Sequence, residues 1–213
     1  MPPVIVLVCL TVVAAACSGG SPASATKAVP GAAVASGSWP SPNGDIANTR
    51  EAPGSAISAA NVSRLREAWT FKLPGRSGVS GVGSLTAAPV VVDGVVYLQD
   101  ERANVYALAL ATGKLKWEYE VDLPEKSGPG PDGVAVAGGA VYGDSSTAVF
   151  ALSAATGKTL WVDRHLLNTG QGSFEIQPQV ADGRVYLASA YGSGPGGGVL
   201  MALSSATGRL LWS

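Results

Sequence analysis

The chain has 213 residues, 46% of them hydrophobic, and its 14 basic and 15 acidic side chains leave a net charge of −1. With no run of either sign, that balance argues against a nucleic-acid partner and against an anionic membrane surface as the binding target. The two cysteines, Cys9 and Cys17, both precede residue 18, so the remainder holds no disulfide and no thiol chemistry.

The N-terminal region divides at Cys17. Val4 to Ala16 is an uncharged apolar run of 13 residues that closes on Ala14-Ala15-Ala16-Cys17 and gives way to Ser18-Gly19-Gly20. A bilayer-spanning helix needs about 20 apolar residues, so residues 1–16 are expected to be an export signal. Small residues directly before a cysteine resemble a lipobox, which places lipid attachment at Cys17. The protein is then expected in the bacterial cell envelope, extracytoplasmic and held to the membrane by that lipid, with ordinary secretion and a retained anchor as alternatives. Residues 18–38 are mostly Ala, Gly, Ser and Pro with one Lys and no aromatic side chain, which makes residues 17–38 an expected lipidated, disordered tether.

Beyond residue 75 the chain repeats itself. Ala-Thr-Gly-x-x-x-Trp recurs at Ala111 to Trp117, Ala155 to Trp161 and Ala206 to Trp212, each time behind Ala-Leu and, further upstream, Val-Tyr. The Trp-to-Trp spacing is 44 and then 51 residues, the excess lying in a Gly-rich stretch at Tyr191 to Gly198. A period of about 40 to 50 residues marks a unit that buries its apolar faces only against copies of itself. Within the first unit, Ala88 to Val92 is a β-branched run, Asp93-Gly94 a hairpin turn, Val95 to Gln99 the return strand, Asn104 to Ala109 a third strand and Lys114 to Glu120 a fourth. The turn Ala111-Thr112-Gly113 places its glycine where a positive φ is needed. No 3.6-residue apolar period is present, and successive apolar positions on the inner strands fit strands covered on both faces. The fold class is therefore all-β, a propeller of four-stranded blades. Trp69, Trp117, Trp161 and Trp212, with Gly113, Gly157 and Gly208, are read as its structural repeat residues.

These motifs resemble the blades of the quinoprotein family, which includes the PQQ-dependent alcohol dehydrogenases. Trp39-Pro40, Asn48-Thr49-Arg50, Ile57 to Leu65 and Ala68-Trp69-Thr70-Phe71 are similar to that family's lead-in. The resemblance implies a lead-in over residues 39–75, with Glu67 to Leu73 as a closing-type outer strand, and three PQQ-like blades over residues 76–213. Propellers have about 4 to 8 blades. Three leave uncovered edges, so the sequence is expected to be the N-terminal part of a longer protein.

In the family a quinone lies near the propeller axis and a Ca²⁺ polarises it. The resemblance puts the family's quinone-contacting Glu at Thr86, its quinone-facing Arg at Asp132 and its metal-binding Glu at Ser193, and none of these matches. Residues 184–212 contain no Asp or Glu at all, although a hard cation takes several oxygen ligands. The reading that follows is a binding or scaffold lipoprotein with no catalytic residue, no cofactor and no metal. One alternative is a PQQ-dependent alcohol dehydrogenase-like oxidoreductase using PQQ with Ca²⁺, and another is an outer-membrane protein assembly propeller.

The remaining features point to surface structure. His165, the sole histidine, sits in a polar turn with no companion ligand. Asn61-Val62-Ser63 matches a glycosylation sequon. Gly192 to Gly198 lacks the Lys-Ser/Thr of a phosphate cradle and is read as a hairpin loop. That loop and Val121 to Asp132 fall at blade rims, where a protein partner or small ligand is expected.

Overall fold

A computed structural model describes residues 37–45, 47–52, 54–73, 85, 87–121, 132–190, 192–193 and 197–213. These lie in one compact unit covering Gly31–Ser213. The signal, Cys17 and all but the last two residues of the tether lie outside the described residues, as do Thr86 and most of the Val121 to Asp132 rim. Among the described residues no helix is long and apolar enough to cross a membrane.

Three antiparallel four-stranded meanders account for the repeats. The first blade runs β1 (Val90–Val92), β2 (Val95–Gln99), β3 (Val105–Ala109) and β4 (Leu115–Tyr119). The second runs β5 (Ala135–Ala137), β6 (Ala140–Asp144), β7 (Val149–Ser153) and β8 (Thr159–Asp163). A short β9 (Ser173–Phe174) then pairs with β11 of the third blade, made of β10 (Gln179–Ala181), β11 (Arg184–Ala190), β12 (Leu200–Ser204) and β13 (Leu210–Trp212). β9 has no counterpart in the sequence reading, because its two residues carry no alternation to detect.

The local geometry follows from the turn residues. Asp93-Gly94 and Asp182-Gly183 take φ of 49° and 72° and of 48° and 72°, and Gly138-Gly139 takes 58° and 77°. Two consecutive positive φ angles match the right-handed twist of the flanking strands, which fixes the register Val92↔Val95 and its equivalents. The third and fourth strands of every blade share a register shift, at Ala107/Leu108, Ala151/Leu152 and Ala202/Leu203.

Inner strands are covered on both sides. Val90, Tyr97, Val105, Ala107 and Trp117 of the first blade pack with Val134, Val141, Phe150 and Leu152 of the second. On its other face the second blade presents Tyr142, Val149 and Ala151 to Phe174, Val185, Leu187, Met201 and Leu203. Adjacent residues of one strand thus enter different cores, which is why those strands read as continuous apolar runs. The far face of the first blade, with Val96, Leu98, Tyr106 and Leu108, is covered by Trp69, Phe71 and Leu73. Glu67 to Leu73, expected as a closing-type outer strand, pairs with no strand among the described residues. Trp39 instead forms a bridge to Val91 through hydrogen bonds of 2.7 and 2.8 Å.

Candidate functional site

The same contact recurs between successive blades. Each indole N–H donates to a backbone carbonyl of the following unit: Trp69 to Leu110 at 2.8 Å, Trp117 to Ala154 at 2.9 Å and Trp161 to Ser205 at 2.9 Å. Each ring then lies flat against a glycine. A Cβ built on Gly113, Gly157 or Gly208 would sit 2.5, 2.7 or 2.6 Å from the ring of Trp69, Trp117 or Trp161, and these glycines hold φ of 65°, 71° and 73°. Trp212 has no such seat among the described residues; it is 45% exposed and tilts against Tyr186. This arrangement is packing, with no group free to do chemistry.

Chemistry-bearing residues gather instead where the second strands end. Gln99 closes β2 two residues after Tyr97, and Asp144 closes β6 two residues after Tyr142. In the third blade the same register is held by Ala188. The Gln99 amide is fully buried, and its Nε2 donates to the Ala103 carbonyl at 3.0 Å and across the blade interface to the Asp144 carbonyl at 2.8 Å. Gln177, also buried, reaches back from the third blade to the Val134 carbonyl at 2.7 Å. Beside it, Gly133 has φ +133° and a tight fit for any Cβ, which would fall 3.1 Å from the Gln177 Oε1 and 3.3 Å from the Ala88 carbonyl.

Acidic groups surround these amides. Asp100 is well satisfied, accepting from the Arg102 and Asn104 backbones, the Asn104 amide and the Tyr106 hydroxyl at 2.9 to 3.0 Å. Burial, then the Asp100 carboxylate, holds the Tyr106 hydroxyl protonated far above the usual tyrosine range. Glu175 accepts a 2.6 Å hydrogen bond from the Ser173 hydroxyl, and its carbonyl accepts the Asp132 N–H at 2.9 Å. Asp144 is different in kind. It is completely buried, and neither of its carboxylate oxygens has a hydrogen-bond partner. Burial, then the neighbouring Asp132 and Glu175, drives its carboxyl well above the usual range. Gln99 Oε1 and Glu101 Oε1 are likewise buried acceptors without a donor.

Of the positions singled out from sequence, Asp132 joins this cluster at its exposed edge, Ser193 is exposed, and Thr86 lies outside the described residues. His165 is exposed, with the Asp163 carboxylate capping its backbone N–H at 2.8 Å. Gln99, Asp144 and Glu175 escaped the sequence reading. The repeat itself carried the signal, since Glu175 stands three residues before Pro178 just as Thr86 stands before Pro89. Among the described residues, no three His, Cys, Asp or Glu side chains are grouped to hold a metal ion. A separate apolar cleft of about 620 Å³ lies between the lead-in and the first blade, lined by Trp69, Phe71, Leu73, Pro89, Leu98 and neighbours.

Residues 39–144 match the family model described as glucose/ethanol/alcohol dehydrogenase, beta-propeller domain, and residues 125–213 match that of the outer membrane protein assembly factor BamB. The quinoprotein alcohol dehydrogenase PedH of Pseudomonas putida is 29% identical over 172 residues, covering 78% of this chain and 28% of PedH. A quinohemoprotein alcohol dehydrogenase of Comamonas testosteroni is 36% identical over 90 residues, covering 42% of this chain and 12% of that enzyme. Among solved structures, a quinohemoprotein alcohol dehydrogenase of Pseudomonas putida HK5 superimposes with a TM-score of 0.70 at 29% identity, covering 83% of this chain and 26% of the other. A europium-containing methanol dehydrogenase gives 0.69 at 28% identity, over 82% of this chain and 31% of the other. The chain thus spans less than a third of the length of these relatives. The two family models together run from residue 39 to residue 213 and the three sheets superimpose on propeller enzymes, so the chain is a PQQ-like β-propeller protein similar to the quinoprotein alcohol dehydrogenases.

Proposed function

We propose that this chain is an exported propeller module, lipid-tethered at Cys17 in the cell envelope, that binds a partner or ligand without a complete quinone site. The observation that carries this reading is Asp132, exposed where the resemblance expects a quinone-facing Arg. PQQ bears carboxylates of its own, and an acidic side chain in that place disfavours a bound anion. The residues present do not fit the cofactor. The neutral Ser193, exposed where the resemblance expects a metal-binding carboxylate, supports the same conclusion. A protein partner at the blade rims agrees with the match of residues 125–213 to an outer membrane assembly factor.

A second reading, a quinone-dependent alcohol oxidoreductase using PQQ with Ca²⁺, is favoured by the names of the relatives. Titrating the full-length protein with PQQ and Ca²⁺ separates the two. The module reading expects no saturable quinone absorbance change at micromolar PQQ and no alcohol-dependent dye reduction, and either signal would overturn it. Tethering is tested by Cys17→Ser, which is expected to move the protein from the membrane fraction to the soluble one.

A further inference from the structure

The contrast between Gln99 and Asp144 has a chemical consequence. The two residues hold the same register, each two positions past the strand tyrosine and each opposite a valine of the next strand, Val105 and Val149. Gln99 spans its blade interface with a donor, giving Nε2–H to the carbonyl of Asp144. Asp144 closes the next interface, where Tyr142 on the same side of β6 packs against Phe174 and Leu187 of the third blade. An ionised aspartate has no donor to give.

Among the described residues nothing compensates the charge. Both carboxylate oxygens are sealed from solvent and accept no hydrogen bond. The segment before β5 contributes Asp132 and the segment after β9 contributes Glu175, both anionic. The end of β2 contributes the neutral Gln99 amide, which donates to the Asp144 carbonyl, and β7 pairs Val149 with Asp144. An isolated carboxylate in such surroundings costs several kcal/mol or more, so a buried acid without a partner neutralises itself instead. A metal ion does not fill the role, because no third ligating side chain is grouped there among the described residues. An organic cation does not reach oxygens that have no opening to solvent. A proton is the cation of the right size.

We infer that Asp144 is a proton-binding site that closes the interface between the second and third blades, holding it tighter in mild acid than at alkaline pH. The direction follows from linkage. A carboxyl that binds its proton more tightly in the folded chain than in the unfolded one adds stability that is complete below the unfolded value and lost as pH rises through the folded one. Most carboxylates in a protein act with the opposite sign. This inference stands apart from the choice of ligand and does not depend on the module reading.

Infrared difference spectroscopy on the full chain reads the proton directly. A protonated-carboxyl band is expected near neutral pH in the wild type and absent from Asp144→Asn. Replacing either neighbour, as Glu175→Gln or Asp132→Asn, should make that band disappear at a lower pH, which a purely structural role would not produce. In thermal unfolding the wild-type midpoint should fall from about pH 5 to about pH 8 relative to Asp144→Asn, whose curve lies above it at the alkaline end. If Asp144→Asn does not fold, Asp144→Gln, which copies Gln99, serves in its place. A wild type without the band at neutral pH, or pH–stability curves that run parallel, would overturn the inference.

Discussion

Two parts of each blade can be compared copy against copy. At the outer strands, the contact of Trp69 with Gly113 is repeated by Trp117 with Gly157 and by Trp161 with Gly208, with close approaches that differ by only 0.2 Å. At the ends of the second strands, the equivalent positions are Gln99, Asp144 and Ala188, and no two make the same interactions. Repetition is strict where a flat ring must meet a bare backbone, because only one residue type satisfies each side. It lapses where the strand end faces a local environment that differs from blade to blade. The outer contact therefore belongs to the fold, and the strand ends are where one blade acquires properties its neighbours lack.

The largest effect is expected from removing one ring. Trp117 is 9% exposed, donates to the Ala154 carbonyl and packs against Tyr97, whose hydroxyl reaches the same carbonyl at 3.3 Å. Trp117→Ala leaves a cavity between the first two blades and frees a carbonyl, a loss of about 3–5 kcal/mol by equilibrium unfolding. A loss below about 1 kcal/mol would mean that the interface does not depend on the ring. Since the two blades share one core through Val134 and Phe150, the unfolding is expected to remain a single transition.

Much of the fold was legible because its signals are local. Asp93-Gly94 announced a hairpin, and the observed β2 begins and ends at Val95 and Gln99, the residues expected from sequence. The pairing of Glu67 to Leu73 was not legible, because its alternation is strand-like while a strand also needs a neighbour, and none stands beside it among the described residues. The acidic cluster was the least legible part. Asp132 stood out in sequence only as a departure from a family position, whereas Asp144 and Glu175 are 31 residues apart and meet only once two blades are stacked. Burial of a carboxyl is a property of tertiary packing, and in sequence Asp144 reads as an ordinary turn residue before Ser145-Ser146.

Two glycines with nearly the same backbone angle separate the ring contact from backbone strain. Gly157 has φ +71° and a tryptophan ring where its Cβ would be; Gly94 has φ +72° and open space. Gly157→Ala bears both the strain of the left-handed conformation and the overlap with Trp117, a loss of about 2–4 kcal/mol. Gly94→Ala bears the strain alone, about 1 kcal/mol. Asparagine tolerates the left-handed region, so Gly94→Asn should be nearly neutral while Gly157→Asn remains as damaging as alanine. Chemical denaturation of the four variants measures this, and equal losses at the two sites would show that φ, not the ring, selects the glycine. The damaging result at Gly157 alone would tie the Ala-Thr-Gly motif to the tryptophan of the preceding blade, so that each repeat is specified partly by its neighbour.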